Sequence, residues 1–357
     1  MRNVKRNRLV FALISAFVAL VVIGGVIAVH SITGSNQTRI FPPPTTAPTQ
    51  NGPTGSTATP TPTAQSQVSP LLFGTNMGLF TADDQVVTST TTRSLMQQIH
   101  VRIVRIPLRR SLPNALEVQA EQAVKSIGAV PLVVLNGLRN PNVLADDTRM
   151  IQNTNSVFGN SLVYYEFGNE DDYNGITITR YTQGWNTLIP QFKRLAPNGK
   201  FIGPVSYQYD HDNLTAFLQG ANPGPDAISW HEYTCSYKDA AADCMAHLSR
   251  WAIHISDARA VMQATLGTTL PIMITEWNYA ADQSTQSNGQ PIADGKYNNT
   301  AFITTWTSEA LHILAANGVF ASMQYSVTNT ALSLIASDNT LTAQGMAFQS
   351  LYQAMVT

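Results

Sequence analysis

From about residue 70 onward the chain repeats one pattern, a short apolar run followed by a stretch with apolar residues at i, i+3 and i+4. The runs fall at 71–76, 103–108, 130–135, 162–167, 200–205, 227–231, 272–275 and 321–325. Helical spacing is clearest over 115–127, 181–195, 245–264, 302–316 and 343–355. Continuous apolar strands that alternate with helices need cover on both faces, which predicts a parallel sheet wrapped by helices. Eight such units predict an α/β chain closed into a (β/α)8 TIM barrel over 70–357. Gly128, Gly199, Gly267 and Gly318 follow expected helix ends, where a left-handed cap is wanted. No Gly-x-Gly-x-x-Gly or phosphate loop follows the first run, which argues against a nucleotide fold.

Two segments precede this unit. Residues 1–30 hold Arg2, Lys5, Arg6 and Arg8 and then an uncharged run over 9–29. Crossing a bilayer takes about 20 apolar helical residues, whereas a secretory signal peptide carries an apolar region of only ~7–15. The length favours an uncleaved transmembrane signal anchor, with the basic end cytoplasmic and the rest outside. Residues 31–69 are rich in Pro, Thr, Ser and Gln and carry little apolar surface, so a disordered linker is expected there.

All 22 acidic residues but only 16 of the 21 Lys and Arg fall after residue 70, so that part is acidic, near −6. Nucleic acid is therefore an unfavourable partner, while neutral, hydroxyl-rich ligands are allowed. The two cysteines, Cys235 and Cys244, lie in one expected loop; outside the cytoplasm they predict a disulfide. His231 and His247 flank the pair, but the spacing fits no zinc pattern, so no metal is expected and no cofactor motif is found.

Active sites of barrels lie at the C-terminal ends of the strands. The residues there are Asn76, Arg109, Asn136, Asn169 with Glu170, Tyr207, His231 with Tyr233, Glu276 with Trp277, and Tyr325. Solvation alone would favour Asp, Ser and Lys. This set of amides, aromatics and two glutamates suits sugar hydroxyls and pyranose faces. Val163-Tyr-Tyr-Glu-Phe-Gly-Asn-Glu170 and Pro271-Ile-Met-Ile-Thr-Glu-Trp277 each end a strand in a glutamate. Paired carboxyls are what a retaining glycosidase requires, one as acid and one as nucleophile. Period-2 alternation groups Glu170 with Tyr164, Glu166 and Gly168, Glu276 with Ile272 and Ile274, and Arg105 with Ile103 and Pro107. If those faces point inward, Arg105 can approach Glu276 and hold it as an anion, and Tyr233 can donate to it. Glu166 is expected in a buried pair with an arginine, Asp171 and Asp172 as solvated loop charges, and Asp210 as a helix cap.

The ordered set resembles the clan A glycoside hydrolases. Phe167-Gly-Asn-Glu170 is similar to their strand-4 Asn-Glu pair, with a preceding Gly closer to families 39, 51 and 79 than to family 5. Ile274-Thr-Glu-Trp-Asn278 is similar to the strand-7 nucleophile region, Val104-Arg-Ile-Pro107 to the strand-2 motif of family 5, and Trp230-His-Glu-Tyr233 to the strand-6 site segment. The departures are Asp171 where many relatives have Pro, Asn136 in place of a strand-3 His, and Gln324-Tyr325 without the common strand-8 Trp. The resemblance implies Glu170 as acid/base and Glu276 as nucleophile. It places Arg105, Asn136, Asn169, His231, Tyr233, Trp277 and Tyr325 around a carbohydrate substrate, with Asn169 on the 2-hydroxyl and Trp277 as a stacking platform. The function expected is retaining hydrolysis of β-glycosidic bonds in external poly- or oligosaccharides. The alternative is a non-catalytic, surface-displayed carbohydrate-binding barrel.

Overall fold

The computed structural model describes residues 68–107, 113–236, 238–281, 286–287, 290–291 and 296–356. The anchor and linker expected over 1–30 and 31–69 fall outside these residues, apart from Val68 and Ser69; so does Arg109. No helix among the described residues is long and apolar enough to cross a membrane.

Eight parallel strands close into a barrel. They are β1 (Gly74–Asn76), β2 (Ile103–Ile106), β3 (Val130–Leu135), β4 (Tyr164–Phe167), β5 (Lys200–Ser206), β6 (Ala227–Cys235), β7 (Ile272–Ala280) and β8 (Ala321–Gln324). Each strand pairs with its sequence neighbours, and β8 closes on β1 through Gly74 opposite Met323. The main helices are α1 (Thr90–Gln98), α2 (Asn114–Ile127), α3 (Val143–Phe158), α4 (Ile178–Leu195), α5 (His211–Gly220), α6 (Ser249–Leu266), α7 (Thr300–Ala316) and α8 (Ala343–Met355). The expected helix over 245–264 is two: a short one, Ala241–Ala246, and then α6.

Alternation builds two cores. Ile103, Leu132, Val134, Tyr164, Ile202, Ala227, Met273, Ala321 and Met323 fill the barrel interior. Their neighbours along each strand, such as Val104, Val133, Tyr165, Ile228 and Ile274, face the helices. Each large aliphatic group sealed this way contributes about 1.5–3 kcal/mol. The interior positions nearest the C-terminal rim change from apolar to polar, and that change opens the site.

Gly128, Gly267 and Gly318 have positive φ after α2, α6 and α7, as the sequence predicts. Gly199 does not. A Cβ there would lie 2.8 Å from the Tyr165 ring, so close approach of the chain to β4 requires the glycine. Asp210 caps α5 by accepting from the Asn213 N–H at 2.7 Å, as expected.

Candidate active site

Arg105 is the hub of the rim. One layer above Ile103 on the inner face of β2, it is 2% exposed. Its Nε donates to Glu166 at 2.5 Å, one Nη to Asn76 at 3.1 Å and to Glu276, and the other to Asn169 at 2.6 Å. The expected buried partner of Glu166 is thus Arg105. Burial alone would favour a neutral guanidine, but the charges of Glu166 and Glu276 outweigh it and raise the Arg105 pKa.

Glu276 reaches Arg105 by a route that simple alternation does not foresee. Ile272 and Ile274 face the helices, and Met273 faces the barrel interior. The pairing of β6 with β7 then slips: Trp230 lies opposite Ile274, but His231 lies opposite Glu276. The extra residue is a β-bulge that turns Glu276 inward and Trp277 outward. Asn76 Nδ2 donates to the Thr275 carbonyl at the bulge at 3.1 Å, so Asn76 supports both the bulge and Arg105. Tyr233 Oη donates to Glu276 Oε2 at 2.9 Å, and His231 Nδ1 stands 3.7 Å from the same oxygen. Burial would raise the Glu276 pKa. The charges of His231 and Arg105, with hydrogen bonds from Tyr233 and Arg105, hold it below the ordinary value. Trp277 is fully buried against Trp251 and Trp306, with ring centroids 6.2 and 6.1 Å away, and does not face the cleft. The expected stacking platform is a core residue.

Glu170 is likewise placed by a turn rather than by alternation. β4 ends at Phe167, Gly168 follows at φ 85°, and Glu170 itself adopts φ 51°, a left-handed conformation costly for a side-chain-bearing residue. Its N–H donates to the Val205 carbonyl at 3.0 Å, and its Oε1 lies 2.8 Å from His231 Nδ1. Asp171 is not solvated as expected, and Asp172 is half-buried. Asp171 is 2% exposed, and a Cβ on Gly168 would lie 3.0 Å from its carboxylate. Burial pushes Asp171 up to about 6, against the nearby Leu138 backbone and the charge of Arg139. Asp172 accepts from the Tyr207 N–H at 3.1 Å.

His231 is fully buried between the two glutamates, so it positions them rather than meeting substrate. Burial opposes its protonation, but the Glu276 charge and the Glu170 contact prevail and raise its pKa. Oxygens of Glu170 and Glu276 and a nitrogen of His231 lie within 4.8 Å of one another. On distance alone these three could hold a cation, but Glu276 already faces the Arg105 guanidinium, which competes with one.

A cleft of about 800 Å³ opens above this cluster. Of the residues expected at the site, Arg105, Asn136, Asn169, Glu170, Tyr233, Glu276 and Tyr325 line it, whereas His231 and Trp277 do not. Asn136 also donates to Asp147 at 2.7 Å. Asn76, Arg139, Tyr173 and Tyr207 line the cleft too. Asn76 and Tyr207 carried the signal of strand-end position; Arg139 and Tyr173 sit in loops and carried none. Cys235 and Cys244 form the expected disulfide, with Cα atoms 5.0 Å apart, tying the end of β6 to the short helix Ala241–Ala246. Closing so short a loop stabilises by roughly 2–3 kcal/mol.

No protein-family model matches the chain, and no curated protein does. Solved structures are similar to it in fold. A family 51 arabinofuranosidase from Xanthomonas axonopodis pv. citri is 15% identical at TM-score 0.61, over 81% of this chain and 73% of that one. A 4-O-α-L-rhamnosyl-β-D-glucuronidase from Fusarium oxysporum 12S is 14% identical at TM-score 0.61, over 82% and 71%. A family 44 endoglucanase from Clostridium thermocellum is 11% identical at TM-score 0.53, over 79% and 75%. What these glycosidase structures share with the chain is the fold, a closed parallel (β/α)8 barrel.

Proposed function

We propose that the chain is a retaining glycoside hydrolase that cleaves β-glycosidic bonds of external poly- or oligosaccharides by double displacement. The observation that carries this reading is the pair of glutamates whose oxygens approach within 4.8 Å, one of them held as an anion by Arg105, His231 and Tyr233. Carboxyl groups about 5–5.5 Å apart suit a covalent intermediate, whereas inverting enzymes need a wider gap to admit water.

In the first step a Glu276 oxygen attacks the anomeric carbon as the bond to the leaving oxygen breaks, and Glu170 gives that oxygen its proton. The sugar is then an ester of Glu276, and the negative charge has moved to Glu170. In the second step Glu170 takes a proton from water, the water oxygen attacks the anomeric carbon, and Glu276 leaves as the carboxylate. Two inversions give net retention. Asn169 Oδ1 is held by Arg105, which fixes the amide so that Nδ2 can donate to the 2-hydroxyl of the reacting sugar. The fold of the solved glycosidases supports this reading, as does the whole set of Arg105, Asn169, Glu170, Tyr233 and Glu276 on one cleft.

The test is to trap the intermediate. Incubation with 2-deoxy-2-fluoro glycosyl fluorides of several configurations should inactivate the protein, and mass spectrometry should find the sugar on the peptide bearing Glu276. Label on another residue, or hydrolysis with inverted anomeric configuration, would overturn the assignment. For the N-terminal segment, the uncharged run over 9–29 supports a membrane anchor. Full-length protein should then stay with membranes after carbonate washing.

A further inference from the structure

Tyr173 is 71% exposed, the most exposed of the large hydrophobic side chains among the described residues, and it lines the cleft beside the two glutamates. An exposed aromatic ring on a mobile loop would carry little meaning, but this loop is held. The Glu170 N–H is bonded to Val205, and the Asn174 N–H and side-chain amide donate to the Glu170 carbonyl at 3.2 and 2.8 Å. Gly175 and Ile176 donate to the carbonyls of Asp172 and Asp171 at 3.1 and 2.9 Å. The Asp172 carboxylate takes the Tyr207 N–H, which joins the loops after β4 and β5 into one hydrogen-bonded piece. The Tyr173 and Tyr207 rings meet on it with centroids 4.8 Å apart, tilted by 36°. The site keeps an apolar aromatic surface in water on a preorganised support.

Its location gives the surface a direction. In the closed ring of strands, β4 and β5 lie opposite β8 and β1. Glu276 stands on β7, next to β8, which Tyr325 follows, and is bonded by Arg105 and Tyr233. The reacting sugar belongs on the β7 and β8 side, against the nucleophile. The group that departs lies toward Glu170, and the loop that carries Glu170 carries Tyr173 three residues later.

We propose that Tyr173 and Tyr207 form a leaving-group subsite that takes a neutral pyranose ring by stacking on its C–H face. The inference rests on the hydrolytic reading above and specifies the substrate: a chain in which a second sugar follows the bond cleaved. Aromatic contacts of this kind are worth roughly a three- to tenfold change in affinity.

The experiment compares two substrates and one binding equilibrium in wild-type protein, Tyr173→Ala and Tyr173→Phe. The substrates are a glycosyl fluoride, whose leaving group is a single atom, and the matching β-linked disaccharide. The binding probe is the free leaving sugar, titrated by saturation-transfer NMR. In Tyr173→Ala, kcat/KM for the disaccharide should fall roughly tenfold more than for the fluoride, mainly through KM, and binding of the free sugar should weaken in parallel. Tyr173→Phe should restore both, because the ring and not the hydroxyl does the stacking. Equal losses on the two substrates would overturn the subsite while leaving hydrolysis standing. Ring-dependent binding of the sugar by a protein that cleaves neither substrate would support the subsite and overturn hydrolysis. No cleavage and no ring-dependent binding would overturn both.

Discussion

Glu276 at the mouth of the barrel and Glu121 in the seam between α2 and α3 are both sealed from water, at 9% and 3% exposure, and both are opposed by burial when they ionise. Their outcomes are opposite. Glu276 has Arg105, His231 and Tyr233 around it and is held below the ordinary carboxylate range. Glu121 has the Thr154 hydroxyl at 2.6 Å and the like charge of Glu117 nearby; burial pushes it up to about 7. Desolvation is common to both, so the difference lies in whether cations share the enclosure. A barrel that encloses a carboxylate beside a guanidinium keeps a ready anion. One that encloses it beside a hydroxyl keeps a weak acid.

The comparison breaks most visibly at Glu276. Glu276→Ala should lower turnover by ~10⁵-fold or more, since in the proposed mechanism this group forms the intermediate. Azide should rescue it, giving a glycosyl azide of inverted configuration; unchanged activity would remove Glu276 from the mechanism. Arg105→Met asks what the cation contributes to folding. It leaves Glu166 and Glu276 buried without their partner and should destabilise by about 3–5 kcal/mol, read by denaturant unfolding. Adding Glu166→Gln should recover part of that loss.

At Glu121 the sign is reversed. Its folded pKa is raised above the unfolded value, so its contribution to stability is present at low pH and is lost as pH climbs from about 4.3 to about 7. Glu121→Gln keeps an oxygen to accept from Thr154 and should flatten that slope, stabilising by about 1–3 kcal/mol at pH 8. Thermal melts across that pH range measure it. The smallest effect is at Tyr233. Glu276 is depressed, so its contribution is present above the unfolded value and is lost as pH falls through the folded one. The acid limb of the kcat/KM profile should therefore lie below about 4.3. Tyr233→Phe, removing one donor worth about 1 kcal/mol, should move that limb upward by a unit or less.

The regular parts of this molecule were readable because they follow short-range rules. The eight strands, and the helices ending at Ile127, Leu195, Ala316 and Met355, appear where apolar spacing puts them. The residues at the strand ends that form the cleft were legible as residues. Their arrangement was less so. Alternation groups Glu276 with Ile272 and Ile274, which face the helices, and the bulge that follows Ile274 parts the carboxylate from them and brings it in.

Composition and periodicity determined the barrel, the acidic folded part and two candidate glutamates, one just past strand 4 and one within strand 7, because each depends on side-chain order along a single element. Tertiary structure decided which side chains meet. Trp277 went to the helix layer, His231 between the carboxylates, Asp171 under a glycine turn and Tyr173 out over the cleft. Those outcomes depend on the register between strands and on left-handed turns at Gly168 and Glu170. Such features arise from contacts between segments 30 to 250 residues apart, for example Arg105 with Glu276 and Thr75 with Gln324, and no local periodicity encodes them.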